Sequence, residues 1–204
     1  GLLNVTDFKS YLECPYRFYL ARVLRLKRFT DDAMELDAMA FGELLHRVLD
    51  EFGRGPLKDS SDEEEIAEAL TQQLKARAQA RFGFQPPPAL RIQLTQLEQR
   101  LRAFAKCQAD WRRAGWQIVH SERTVTTTRT PWSAETWAVP LKGRIDRIDR
   151  QEGTDRWAVL DYKSSDRGEL PRKTHHRRAS KGALQPEDWV DLQLPLYRYL
   201  ARAT

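Results

Sequence analysis

The residues best equipped for chemistry lie between Leu141 and Lys163, where Asp146, Asp161 and Lys163 sit in two β-rich runs joined by the polar turn Gln151, Glu152, Gly153, Thr154 and Asp155. Such runs around a Gly-containing turn predict a hairpin. If it folds about Gly153 and Thr154, Asp146 lies across from Asp161 and both carboxylates share one face. Directly opposed residues have Cβ atoms roughly 5 Å apart, where like charges destabilise a sheet, and two carboxylates there repel by about 3 kcal/mol at an effective dielectric of about 20. A divalent cation removes that repulsion. Strand alternation puts Lys163 on the face of Asp161. An acidic pair beside a cation is the arrangement expected of a metal-dependent phosphodiesterase.

An Asp-x-Lys tripeptide alone has a plainer reading, the solvated face of a strand. Here it follows Trp157, Ala158, Val159 and Leu160, a run apolar on both faces and therefore expected of a central strand. Charge at the end of a buried strand needs a reason.

Five segments together resemble a known family. Gly143, Asp146, Arg147 and Asp149 fit a GxxDRxD motif, Asp161-Tyr162-Lys163 a DYK motif, and Gln193 with Tyr197 a QxxxY motif. Upstream, Cys14-Pro15-Tyr16 lies in a "CP-aromatic" segment, and Gly42 with His46 fits G-x-x-x-H. In this order they resemble the RecB-like nucleases of the PD-(D/E)XK superfamily, and most closely the C-terminal domain of AddB-type helicase–nuclease subunits. The resemblance implies an α/β fold with a restriction-endonuclease-like core, a mixed central sheet flanked by helices, and an N-terminal helical elaboration. It also implies a Mg²⁺- or Mn²⁺-dependent deoxyribonuclease, an exonuclease acting on DNA ends in recombination or repair. Asp146, Asp161, His46 and the Tyr162 carbonyl would hold the metal. Lys163 would act on water or phosphate, and Gln193 and Tyr197 would form a hydrogen-bonding rail. For Glu122 the plain reading, an exposed strand residue, is preferred to a further metal-site carboxylate.

The elements that must position these groups follow from periodicity. Thr6 or Asp7 caps a first helix running to about Leu24. A second covers roughly Met34 to Phe52, with Phe41, Leu44, Leu45, Val48, Leu49 and Phe52 on one stripe and His46 on its flank. Gly42, one turn before His46, lets another backbone approach. Helical patterns continue from Asp62 to Arg81 and from Leu90 to Trp111, broken by Pro86, Pro87 and Pro88 and ended by Gly115. Strands are expected over 116–128 and 136–149, with Pro140 marking an edge or bulge, and a closing helix over 187–203. The 204 residues read as a single domain, mainly helical over 1–115, with the sheet and closing helix over 116–204. An N-terminal Gly and an end directly after a helical pattern read as a piece of a longer protein.

Net charge is +5, which favours a polyanionic partner such as DNA. The segment after the Asp-x-Lys strand concentrates Arg167, Arg172, Lys173, Arg177, Arg178 and Lys181, a candidate phosphate contact whose plain reading is a solvated loop. His175 and His176 in that segment are weak evidence for a metal site. No apolar run is long enough to span a membrane and no signal peptide is visible, which reads as cytoplasmic. Cys14 matches the first ligand of the iron–sulfur cluster found in many AddB-type domains, and Cys107 reads as buried packing. A cluster needs four ligands, so none is expected here. No Walker-type phosphate loop occurs, so any helicase lies on another segment or subunit. Two competing readings are a catalytically silent DNA-binding scaffold in such a complex and a stand-alone nuclease of the CRISPR-adaptation type.

Overall fold

A computed structural model of the protein describes residues 3–26, 36–128, 140–164, 175 and 189–202. The elements are β1 (Leu3–Asn4), α1 (Val5–Glu13), α2 (Pro15–Phe18) with a π-helical turn over Tyr19–Val23, α3 (Ala38–Arg54), α4 (Glu63–Phe82), α5 (Pro88–Arg113), β2 (Trp116–Thr127), β3 (Leu141–Gln151), β4 (Trp157–Leu160) and α6 (Gln193–Ala201). They form the expected mixed α/β fold, a central sheet flanked by helices. β3 is the hub. It pairs in parallel with β1 through Leu3 and Leu141, antiparallel with β4 from Arg147 opposite Leu160 to Arg150 opposite Trp157, and has β2 as its other neighbour.

The chain forms two compact units interleaved in sequence. One comprises 30–123 and 146–164, the other 1–29, 124–145 and 165–204. The first is built on the apolar stripe of α3, whose Leu44, Leu45, Val48, Leu49 and Phe52 are buried with Ile66, Leu70 and Leu74 of α4 and Leu97, Leu101 and Ala105 of α5. Burial of such side chains contributes roughly 1.5–3 kcal/mol each. Asp62 starts α4 by accepting the amides of Glu64 and Glu65 at 2.9 and 3.1 Å, and three glutamates in the first turn suit the positive end of the helix. In the second unit α6 packs on α1.

Several expectations are corrected. The first helix is broken into α1, α2 and a π turn because Pro15 has no amide proton to continue α1, and its start is organised by Asp7 accepting the Asn4 amide at 2.9 Å. The closing helix starts at Gln193, not 187, where the carboxylate of Asp191 takes the Gln193 amide at 2.9 Å. Pro140 precedes β3, and its carbonyl accepts from Leu3 at 3.2 Å. Cys107 is exposed on α5 instead of buried, while Cys14 is half-buried between α1 and α2.

Candidate active site

The hairpin of β3 and β4 turns where the sequence placed it, with Gly153 at φ +68° and the Gln151 amide bonded to the Arg156 carbonyl at 3.0 Å. Its register, Arg147 opposite Leu160, makes Asp146 and Asp161 the next opposed pair. Asp161 stands just past the last residue of β4, so the acids close the open end of the hairpin. Asp161 is ion-paired with Lys163 at 2.5 Å, its side chain buried and that of the lysine exposed.

Tyr162, between them, is fixed at several points. Its amide donates to Asp146 Oδ2 at 2.6 Å. Its ring lies 5.9 Å edge-on from Phe104, itself 6.4 Å from Phe52, and 5.9 Å from the His46 imidazole, so an aromatic series runs from the helical core to the site. Arg147 donates to its hydroxyl at 3.4 Å. Below this, Arg147 makes a bidentate pair with Asp149 at 2.6 and 2.7 Å and donates to Gln108 at 2.6 Å, and Trp111 donates to Asp149 at 2.7 Å. Gly42 fulfils its expected purpose: a Cβ there would stand 3.1 Å from Ser164 Oγ, and Arg100 bonds the Ser164 carbonyl.

His46 Nδ1 lies 3.0 Å from Glu122 Oε1 and 3.6 Å from Asp146 Oδ1. The hydrogen bond to Glu122, opposed by burial and helped by the charge of Asp146, raises the imidazole above its ordinary pKa. The Tyr162 carbonyl lies within hydrogen-bonding range of the same ring. Burial pushes the Asp146 carboxyl up to about 6, with Asp161 and Glu122 adding repulsion against the relief from His46 and the Tyr162 amide. One ligand atom from each of His46, Glu122 and Asp146 lies within 4.8 Å of the others. An imidazole and two carboxylates, partly desolvated and repelling one another, fit a divalent cation.

The profile of the PD-(D/E)XK nuclease superfamily matches residues 2–204. The chain belongs to this superfamily. It is also 26% identical to an AddB-type ATP-dependent helicase/deoxyribonuclease subunit of Symbiobacterium thermophilum, over 80% of this chain and 15% of that protein. The chain thus spans well under a fifth of that relative's length. No solved structure gives a significant match. As a PD-(D/E)XK nuclease domain, the chain carries its Asp146 and Asp161-x-Lys163 on the β3–β4 hairpin and His46 on α3.

Gln193 and Tyr197 lie in the other unit, where Gln193 Nε2 donates to Tyr197 Oη at 3.1 Å and the tyrosine is buried. Arg167, Arg172, Lys173, Arg177, Arg178 and Lys181 lie outside the described residues, as does His176; His175 is buried, its Nδ1 3.1 Å from the Asp191 carbonyl. Glu122 is the residue the sequence reading undervalued. It is buried rather than exposed. A signal was present, because Glu122 continues the even phase of the inward-facing Trp116 and Ile118.

Proposed function

We propose that this domain is a Mg²⁺- or Mn²⁺-dependent deoxyribonuclease that hydrolyses phosphodiester bonds at DNA ends, as part of a cytoplasmic helicase–nuclease used in recombination or repair. The observation that carries this reading is the convergence of His46, Glu122 and Asp146 within 4.8 Å beside a hairpin end bearing the Asp161–Lys163 pair. His46, Asp146, Asp161 and the Tyr162 carbonyl would hold one or two ions. A bound cation would supply a Lewis acid for the scissile phosphate and acidify an attacking water. Lys163, exposed at its tip and held at its base by Asp161, offers three donors to a phosphate oxygen or to that water as charge builds. Gln193 and Tyr197 would present hydrogen-bonding groups to the strand, and the basic segment over 167–181 would contact its phosphates. The name of the Symbiobacterium relative supports the attachment to a helicase.

The test is cleavage of end-labelled linear and circular DNA with Mg²⁺, Mn²⁺ or EDTA by the parent, Asp161→Ala and Lys163→Ala proteins. Loss of at least a hundredfold in both variants, and products from linear DNA alone, are expected. Variants that cut as fast as the parent would end the proposal. A mobility shift with no cleavage in Mn²⁺ would support the silent scaffold instead.

A further inference from the structure

Glu122 does three things a spectator strand residue does not. Its side chain is 3% exposed, it approaches His46 at 3.0 Å, and its backbone lies in the left-handed region at φ +47°. A non-glycine residue there is uncommon, and such conformations concentrate at functional sites. Burial along β2 shows what this accomplishes. Inward positions follow the even phase through Glu122 and then shift to Val125, as at a β-bulge. Close packing on α3 holds the same point, for a Cβ on Gly53 would stand 3.0 Å from the Ser121 Cβ.

We infer that Glu122 is itself a ligand of the divalent cation, and that the cation's tight seat is His46, Glu122 and Asp146, with Asp161 acting from outside it. This rests on the nuclease reading above. Neighbouring ligands on an octahedral ion with bonds of about 2.1 Å lie about 3 Å apart. The His46 Nδ1 separations of 3.0 Å to Glu122 and 3.6 Å to Asp146 bracket the range such an edge needs with little movement. Asp161 falls outside the group of donors within 4.8 Å and is paired with Lys163 at 2.5 Å. The rival role for Glu122 is to orient His46 by accepting its N–H, as carboxylates behind metal-bound imidazoles commonly do. Glutamine keeps an acceptor for that N–H but removes the charge, so Glu122→Gln separates the two.

The experiment is Mn²⁺ titration of the chain followed by electron paramagnetic resonance, which counts free ion without requiring cleavage, with imidazole nitrogen coupling recorded at saturation. Glu122→Gln and Asp146→Asn should each weaken Mn²⁺ at least tenfold while the nitrogen coupling persists, and Asp161→Asn should stay within threefold of the parent. Glu122→Gly accepts the left-handed backbone freely, so it should keep the parent's melting temperature in EDTA and still lose at least tenfold in affinity. A parent that binds and a Glu122→Gln protein that binds within twofold of it would overturn this inference alone. Asp161→Asn losing tenfold while Glu122→Gln does not would also overturn it. A parent that binds no Mn²⁺ would overturn the nuclease reading too.

Discussion

Gly143 on β3 and Leu200 on α6 touch so closely that an ideal Cβ built on the glycine would stand 2.5 Å from Leu200 Cδ1, with Val5 and Tyr197 at 3.0 and 3.2 Å. The first position of the GxxDRxD motif is therefore a packing requirement: the strand needs a residue without a side chain for the helix to seat. Gly143→Ala should destabilise by about 1–3 kcal/mol, measured by urea unfolding. Adding Leu200→Ala should recover part of that loss, because the second change opens the space the first one fills; strict additivity would contradict the contact.

The buried fork of Arg147 and Asp149 supports a second prediction. The pair is 2% and 0% exposed, so removing one partner leaves a charge in the core. Asp149→Ala should cost about 3–5 kcal/mol and lower the thermal midpoint accordingly. The double change Arg147→Met with Asp149→Leu should be less damaging than Asp149→Ala alone. A midpoint unchanged by Asp149→Ala would show that the fork is not a mount for the strand.

Proton linkage gives the third. The Asp146 carboxyl rises from the ordinary 3.8 to about 6 in the fold, chiefly through burial, so the native state holds this proton more tightly than the unfolded chain. Without metal, its contribution to stability therefore grows as pH falls from about 6 toward 4. His46 is also raised, chiefly by its bond to Glu122, and works in the same direction: its contribution is present below its unfolded value and fades as pH rises through the folded one. Melting in EDTA at pH 8 should accordingly find Asp146→Asn more stable than the parent, with the gap narrowing toward pH 5.

Cation binding needs both groups deprotonated, which yields a fourth expectation. Mn²⁺ affinity should fall steeply below pH about 6 in the parent. The melting temperature gained on adding Mn²⁺ should shrink over the same range. A pH-independent gain would contradict the site.

Much of this was legible in the chain. The polar turn about Gly153 and Thr154 fixes the hairpin register, and with it the opposition of Asp146 and Asp161, because side-chain period and turn position leave no other pairing. Gly42 and the α3 stripe were equally readable, since helical spacing states which residues face inward. Glu122 was harder: charge in a strand argues for solvent, and only a left-handed backbone and a histidine distant in sequence reverse that. Arg147 and Asp149 carry the same lesson, for two charged residues on one strand can satisfy each other in a fully buried pair. Cys107 failed in the opposite direction, because a helical pattern alone does not say on which side of α5 a small residue lies.

Tyr162 is gripped by its amide, its ring and its hydroxyl at once. The spacing between its flanking acid and base is therefore a length cut to size, with no slack on either side. A single residue inserted before or after it would have to expel the ring from its aromatic bed or pull one charged neighbour off station. Engineering of substrate preference in this domain is better directed at other loops, leaving this tripeptide as the ruler against which the rest is aligned.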